Sequence, residues 1–198
     1  IAARRTRSNR EFIFDPILTD PIMIMPRGQP LLLPANPLFI WGSLIGALLL
    51  NMTENMGLWG RAPWLPDFLA LVLVFWSVHQ PLRVGVGSAF VFGLCMDVHQ
   101  TALLGQNALA YATLSYFAIA IHRRLLWFSV PLQAVQVLPL FATAHVIEML
   151  LRLLTGAAWP GWGLLLAPLF EAALWPLASV LLLAPQRRAP DRDAHRPL

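Results

Sequence analysis

The sequence contains no lysine: all fourteen of its basic residues are arginine, against ten Asp and Glu. Charge of either sign is scarce, at 12% of 198 positions, whereas 58% are hydrophobic. Soluble domains carry about a quarter of their residues as charges, so this chain has too little polar surface to clothe a soluble globule of its size. One cysteine, Cys95, excludes an intramolecular disulfide and any site built on paired thiolates. It stands inside an apolar run and is expected to be a small buried hydrophobe. Also missing are the Gly-rich phosphate loops, the G-x-S-x-G elbow and the H-E-x-x-H helix that mark common catalytic chemistries. A net charge of +4 would suggest nucleic acid for a soluble protein. Here the arginines gather in the tails and short loops, as membrane orientation requires, and no nucleic-acid partner is expected.

What is present is a series of apolar runs, at 38–52, 68–78, 84–96, 102–121, 125–154 and 163–184. A spanning helix needs about 20 apolar residues, which the last three supply. The first reaches that length if it extends back to Leu31, with Pro34 and Pro37 tolerated in its first turn. The second reaches about 28 Å if it runs from Trp64 to Leu82. A re-entrant hairpin built from the second and third runs is the alternative, and charge decides against it. With six spans and a cytoplasmic N-terminus, Arg4, Arg5, Arg7, Arg10, Arg27, Arg83, Arg123, Arg124, Arg187, Arg188, Arg192 and Arg196 lie inside, and only Arg61 and Arg152 outside. The hairpin would strand His122, Arg123 and Arg124 on the wrong side.

The expected fold is therefore all-α: a polytopic integral protein of the cytoplasmic (inner) membrane with about six transmembrane helices and both termini cytoplasmic. Residues 1–30 are expected to be a basic, disordered tail or the product of an upstream start, with Met23 and Met25 as alternatives. No cleavable secretory signal is visible in them. Residues 31–185 form the membrane domain and 186–198 a basic cytoplasmic tail. The eight tryptophans fall mostly near run ends, as interfacial anchors do.

Polar groups inside lipid are costly, so each asks for a partner or a task. Gly85, Ala89, Gly93 and Asp97 recur every four residues, making a groove of small side chains with a carboxylate at its outer end. It serves either a partner helix or packing within the bundle. Gly42-x-x-x-Gly46 in the first helix reads as intrachain packing. His145, Glu148 and Arg152 share one face of the fifth helix, with Glu148 and Arg152 spaced to pair. Glu171, between Pro168 and Pro176, is the deepest carboxylate, held either neutral or by a hydrogen bond from Gln133 or Gln136. Asp97, His99, His145 and Glu148 all fall toward the outer face, a set that in principle suits a metal. However, His145-Val-Ile-Glu148 is followed by Met149 where an inverted zinc motif needs a second His. No metal, cofactor or catalytic residue is expected.

Pro66-Asp67-Phe68-Leu69-Ala70-Leu71 opens the second helix and Arg83-Val84-Gly85-Val86-Gly87 the third. Gly93-x-x-x-Asp97 follows, then Leu104-Gly105 and Leu109-Ala110-Tyr111, and near the end Leu174-Trp175-Pro176. This ordered series, over about residues 31–185, resembles the rod-shape-determining protein MreD family. The resemblance implies a membrane fold like that of the substrate-binding subunits of energy-coupling-factor transporters. It also implies a non-enzymatic subunit of the machinery that elongates the peptidoglycan wall, required for rod shape. Its implied partners are an MreC-like bitopic protein, MreB-like filaments, a RodA-like glycosyltransferase and its transpeptidase. Carried over by motif, Gly87, Gly93, Asp97, Gly105, Trp175 and Pro176 are packing or partner-contact positions, to which the groove adds Gly85 and Ala89. The N-terminal extension is longer and more basic than the family's. A small-molecule-binding subunit of a membrane transporter is the alternative function.

Reporter fusions after Arg124 and after Arg188 are expected to read as cytoplasmic. A periplasmic signal at Arg124 would overturn the six-helix topology.

Overall fold

The computed structural model describes residues 36–53, 65–156, 159 and 161–186. The basic tails at 1–30 and from Arg187 onward, Pro34, Trp59, Arg61 and Trp64 lie outside the described residues. Six helices follow one another: α1 (Pro37–Thr53), α2 (Phe68–His79), α3 (Val86–Gln100), α4 (Gln106–Leu125), α5 (Val130–Leu154) and α6 (Ala167–Leu183). Single 3-10 turns, Trp162–Leu165 and Ala184–Gln186, lengthen α6 at both ends. There is no strand among the described residues. Two segments, Val130–Leu154 and Trp162–Gln186, are each long and apolar enough to cross a membrane.

The centre of the bundle is its shortest helix. Of the run expected from Trp64 to Leu82, the described residues, 65 onward, are helical over the 12 residues Phe68–His79, about 18 Å. Both limits have chemical causes. Asp67 takes an extended backbone and its carboxylate accepts the Ala70 N–H at 2.9 Å, an N-cap that starts the helix. Pro81 disfavours helical geometry at Gln80, so the helix stops there. Every residue from Leu69 to Val78 is buried except Val72, so α2 is apolar all round because it is surrounded all round, by α1, α4 and α6.

Polar clips tie α2 to its neighbours. Trp76 donates its indole N–H to Ser43 of α1 at 2.8 Å, and Ser77 shares a 2.9 Å bond with Ser115 of α4. Trp175 of α6 reaches Gln133 of α5 at 3.2 Å. Trp76 and Trp175, expected among the interfacial anchors, are completely buried, since each indole finds its hydrogen-bond partner in the core.

The most extensive helix contact joins α3 and α4, which run antiparallel from a tight connection. That connection uses two left-handed residues, Thr101 at φ 50 and Gly105 at φ 102; the second is a conformation that glycine adopts without steric cost. Gly93 lies against the first turn of α4. A Cβ placed on it would stand 2.6 Å from the Ala108 nitrogen and 2.8 Å from the Asn107 carbonyl carbon, so only glycine lets the two backbones approach. Ala89 is buried on the same face, whereas Gly87 is exposed and Gly85 is the half-buried N-cap residue of α3.

Two expectations are corrected by this packing. Cys95 is exposed on the outer face of α3 rather than buried, because the face toward α4 is taken by Ala89, Gly93 and Met96. Gly42 and Gly46 do not pack within the chain. Helix α1 buries Ile40, Leu44, Ala47 and Asn51 instead, both glycines are exposed, and a Cβ on either meets nothing within 4 Å.

Gly93→Leu is expected to destabilise the protein by on the order of 1–3 kcal/mol, because the colliding atoms are backbone and cannot move aside. Thermal unfolding in detergent measures this, and an unchanged transition would contradict the contact.

Candidate functional site

All four carboxylates among the described residues, Asp67, Asp97, Glu148 and Glu171, lie toward one end of the bundle, opposite His79, Arg83, Arg123 and Arg124. Three of them join a network whose centre is Asp67. Its carboxylate accepts the Ala70 N–H, the side-chain amide of Asn51 in α1 and the hydroxyl of Tyr111 in α4. Asn51 uses both ends of its amide, since its oxygen also accepts the Phe68 N–H at 3.1 Å. The Asp67 backbone N–H donates to Oε1 of Glu171 in α6 at 2.9 Å. The first turn of α2 thus finds its acceptors in side chains from two other helices. Helix N-termini leave such donors without intrahelical partners, and they favour nearby negative charge.

Glu171 carries the network onward. Its Oε1 also accepts Nε2–H of His145 in α5 at 2.8 Å, and His145 Nδ1 faces Glu148 Oε2 at 3.8 Å. Glu171 is fully buried, and its second oxygen has no hydrogen-bond partner; nor has His145 Nδ1. Five of the six helices therefore meet through Asn51, Asp67, Tyr111, His145 and Glu171. Among the described residues no group of three or more His, Cys, Asp or Glu is placed to hold a metal ion.

The expected partners of these acids are corrected. Glu148 meets His145 rather than Arg152, because the side chain turns into the bundle while Arg152 stays half-buried on its flank. Glu171 is held by His145 and the Asp67 backbone rather than by Gln133 or Gln136. Gln133 stands near the opposite end of α5, where it accepts from Trp175 and donates to the Phe128 carbonyl at 2.9 Å. Pro176 interrupts the helix bonding one residue past Trp175.

Asp97 works as a separate device. Wholly buried, it accepts the N–H groups of Gly105 at 2.8 Å, Asn107 at 2.7 Å and Ala108 at 3.3 Å, so a side chain of α3 caps the start of α4. Gly93 stands one turn earlier on the same face, and the Gly93-x-x-x-Asp97 spacing therefore joins close approach to capping. His99 adds a bond to the Met52 carbonyl at 3.1 Å, at the last turn of α1.

Asp67, Asn51 and Tyr111 were not singled out as site residues from the sequence. The signals were present: Pro-Asp before an apolar run is an N-cap signature, and a lone Asn in an apolar helix needs a partner.

Asp97→Ala strips an acceptor from three backbone donors, and the expected loss is on the order of 1–3 kcal/mol of stability, with Asp97→Asn intermediate. For the hub, Asp67→Asn and Tyr111→Phe are expected to be non-additive in denaturant unfolding, with a coupling on the order of 1 kcal/mol. Strict additivity would mean that the hydroxyl and carboxylate do not bond.

Residues 35–184 match the family model described as rod shape-determining protein MreD. The chain is 27% identical over 138 residues to the rod shape-determining protein MreD of Haemophilus influenzae, a match covering 64% of this chain and 83% of that protein. No solved structure matches it. With most of its length, including all six helices, inside the family match, the chain belongs to the MreD family of rod-shape-determining membrane proteins.

Proposed function

We propose that this protein is a non-enzymatic scaffold of wall elongation, crossing the inner membrane six times with both termini in the cytoplasm. It would hold an MreC-like bitopic protein, MreB-like filaments, a RodA-like glycosyltransferase and its transpeptidase in one assembly. Family membership supports the role in rod shape. The arginine bias and the alternating direction of the helices support the topology.

The observation that carries the scaffold reading is the contrast between two glycine positions. Gly93 is consumed by packing inside the chain, and Asp97 beside it is spent on capping α4. Gly42 and Gly46 stand one turn apart on the outside of α1, flanked by the exposed side chains of Trp41, Ile45 and Leu49. Apolar burial gives helices no drive to associate in lipid, so association relies on close backbone approach and packing, which a pair of outward glycines permits. In this reading α1 presents the surface on which a partner's helix lies.

The Gly42→Leu/Gly46→Leu double variant is expected to accumulate in the membrane and unfold at the wild-type temperature, since both glycines are exposed and a Cβ on either meets nothing within 4 Å. It is also expected to lose co-purification with MreC-like or RodA-like proteins, and its cells to round up. Intact co-purification with rod-shaped cells would sink this assignment of α1.

A further inference from the structure

Each ring nitrogen of His145 faces a carboxylate. Nε2 bonds Glu171 Oε1 at 2.8 Å, and Nδ1 stands 3.8 Å from Glu148 Oε2. A neutral imidazole carries hydrogen on one nitrogen and a lone pair on the other. With the hydrogen on Nε2, where Glu171 accepts it, the lone pair on Nδ1 points toward Glu148. Imidazolium instead turns an N–H toward both acids.

Charge compensation favours the same state. Among the described residues, the groups whose charge acts on His145 are Glu148 on its own helix, Glu171 on α6 and Asp67 on α2, all acids. Tyr111 of α4 gives its hydroxyl hydrogen to Asp67, α1 contributes the neutral Asn51, and Arg152 acts on Glu148 from one turn farther along α5. Asp67 is served by three donors, whereas among the described residues no hydrogen bond reaches Glu148. Buried carboxylates without a nearby cation are costly in a dry interior, and one imidazolium compensates two of them. Side-chain exposure is 10% at His145 and 9% at Glu148 against 0% at Glu171, so water reaches the site past Glu148. In the orientation proposed above, that end of the bundle faces the outer side.

We infer that His145, held between Glu148 and Glu171, is a proton-binding site open to the outer side, and that release of its proton loosens α5 from α6. The step is a transfer of the Nδ1 proton to outer water or a buffer base. It leaves a neutral ring bonded to Glu171, with a lone pair facing Glu148. Because Glu171 Oε1 also accepts the Asp67 N–H, the change is carried to the start of α2. Only the side from which the proton comes rests on the proposed orientation.

A folded state that holds a proton the unfolded chain releases loses stability as pH rises, by at most about tenfold in the unfolding constant per pH unit for one proton. Denaturant unfolding of the purified protein in detergent would be followed from about pH 6 to about pH 9, where ordinary carboxylates and tyrosines do not titrate. Wild type is expected to weaken steadily across this range. His145→Gln keeps an amide N–H for Glu171 but takes up no proton, so it is expected to be less stable at the acid end and nearly flat in pH. Glu148→Gln removes one of the two flanking acids and is expected to show a smaller slope than wild type. A wild type without a slope overturns the site, as does the wild-type slope in His145→Gln. Should His145→Gln fail to fold, Glu148→Gln decides, and a slope equal to the wild type's overturns the site. NMR of isotope-labelled histidine rings reads the proton directly, with the His145 signals identified by their shift in Glu148→Gln. Both nitrogens are expected to carry hydrogen at neutral pH and one at the alkaline end; a neutral ring throughout, with the proton on Glu148 instead, overturns the assignment. Unfolding in detergent does not depend on which end faces out. A periplasmic reporter signal after Arg124 would therefore sink the proposed topology and leave the proton site to stand or fall by these measurements.

Discussion

A helix that begins inside an apolar bundle has to find acceptors for its first N–H groups, and it cannot find them in water. That constraint governs this molecule. Helix α2 is about 18 Å long and buried from Leu69 to Val78 except at Val72, and its first N–H groups find their acceptors in side chains of this chain. Asp67 meets the requirement in two ways. Its carboxylate caps the turn while accepting from Asn51 and Tyr111, and its own N–H is accepted by Glu171. Because these side chains belong to α1, α4 and α6, satisfying one helix start sets the position of three neighbours. His145, bonded to Glu171, brings in α5. Only α3 stands outside the network, and it is secured from the other direction by the Asp97 cap and the Gly93 contact.

Much of this was legible in the sequence, and the failures share a cause. Six apolar runs became six helices, and Pro37, Pro131 and Pro168 sit in first turns, where a missing N–H does no harm. A spanning length for α2 does not follow from its apolar composition, because Asp67 and Pro81 set its limits. Glu171 meets His145 instead of a glutamine because the register between α5 and α6 is not written in either helix. Gln133 and His145 are both polar and both in α5, but 12 residues separate them, about 18 Å along the axis. Antiparallel packing opposes His145 to Glu171 and Gln133 to Trp175. Periodicity places a residue on a face; it does not say what stands opposite.

The small-residue motifs make the same point from the other side. Gly42-x-x-x-Gly46 and the series Gly85, Ala89, Gly93 are equivalent as patterns. What separates them is the neighbouring backbone. Ala108 stands so near Gly93 that a single added carbon collides, and open space lies over Gly42 and Gly46. A glycine pair licenses close approach without naming the helix that uses it. Tryptophan behaves likewise: Trp76 and Trp175 are core residues because Ser43 and Gln133 lie within hydrogen-bond reach, while Trp127, with the same side chain at a run end, remains outside.

Charge is divided by function as well as by position. Asp97, Glu148 and Glu171 are buried and Asp67 half-buried at one end, where Asp67, Asp97 and Glu171 accept from backbone N–H groups, an amide, a hydroxyl and a histidine of the same chain. Such groups cannot also recruit a partner without releasing a bond that holds two helices together, and an unpaired carboxylate in a dry interior is costly. Arg123 and Arg124 are exposed at the other end, on the last turn of α4. The acids bind helices of this chain to one another, and Arg123 and Arg124 stand at the end of the bundle away from the described carboxylates, so the two kinds of charge are separated along its length.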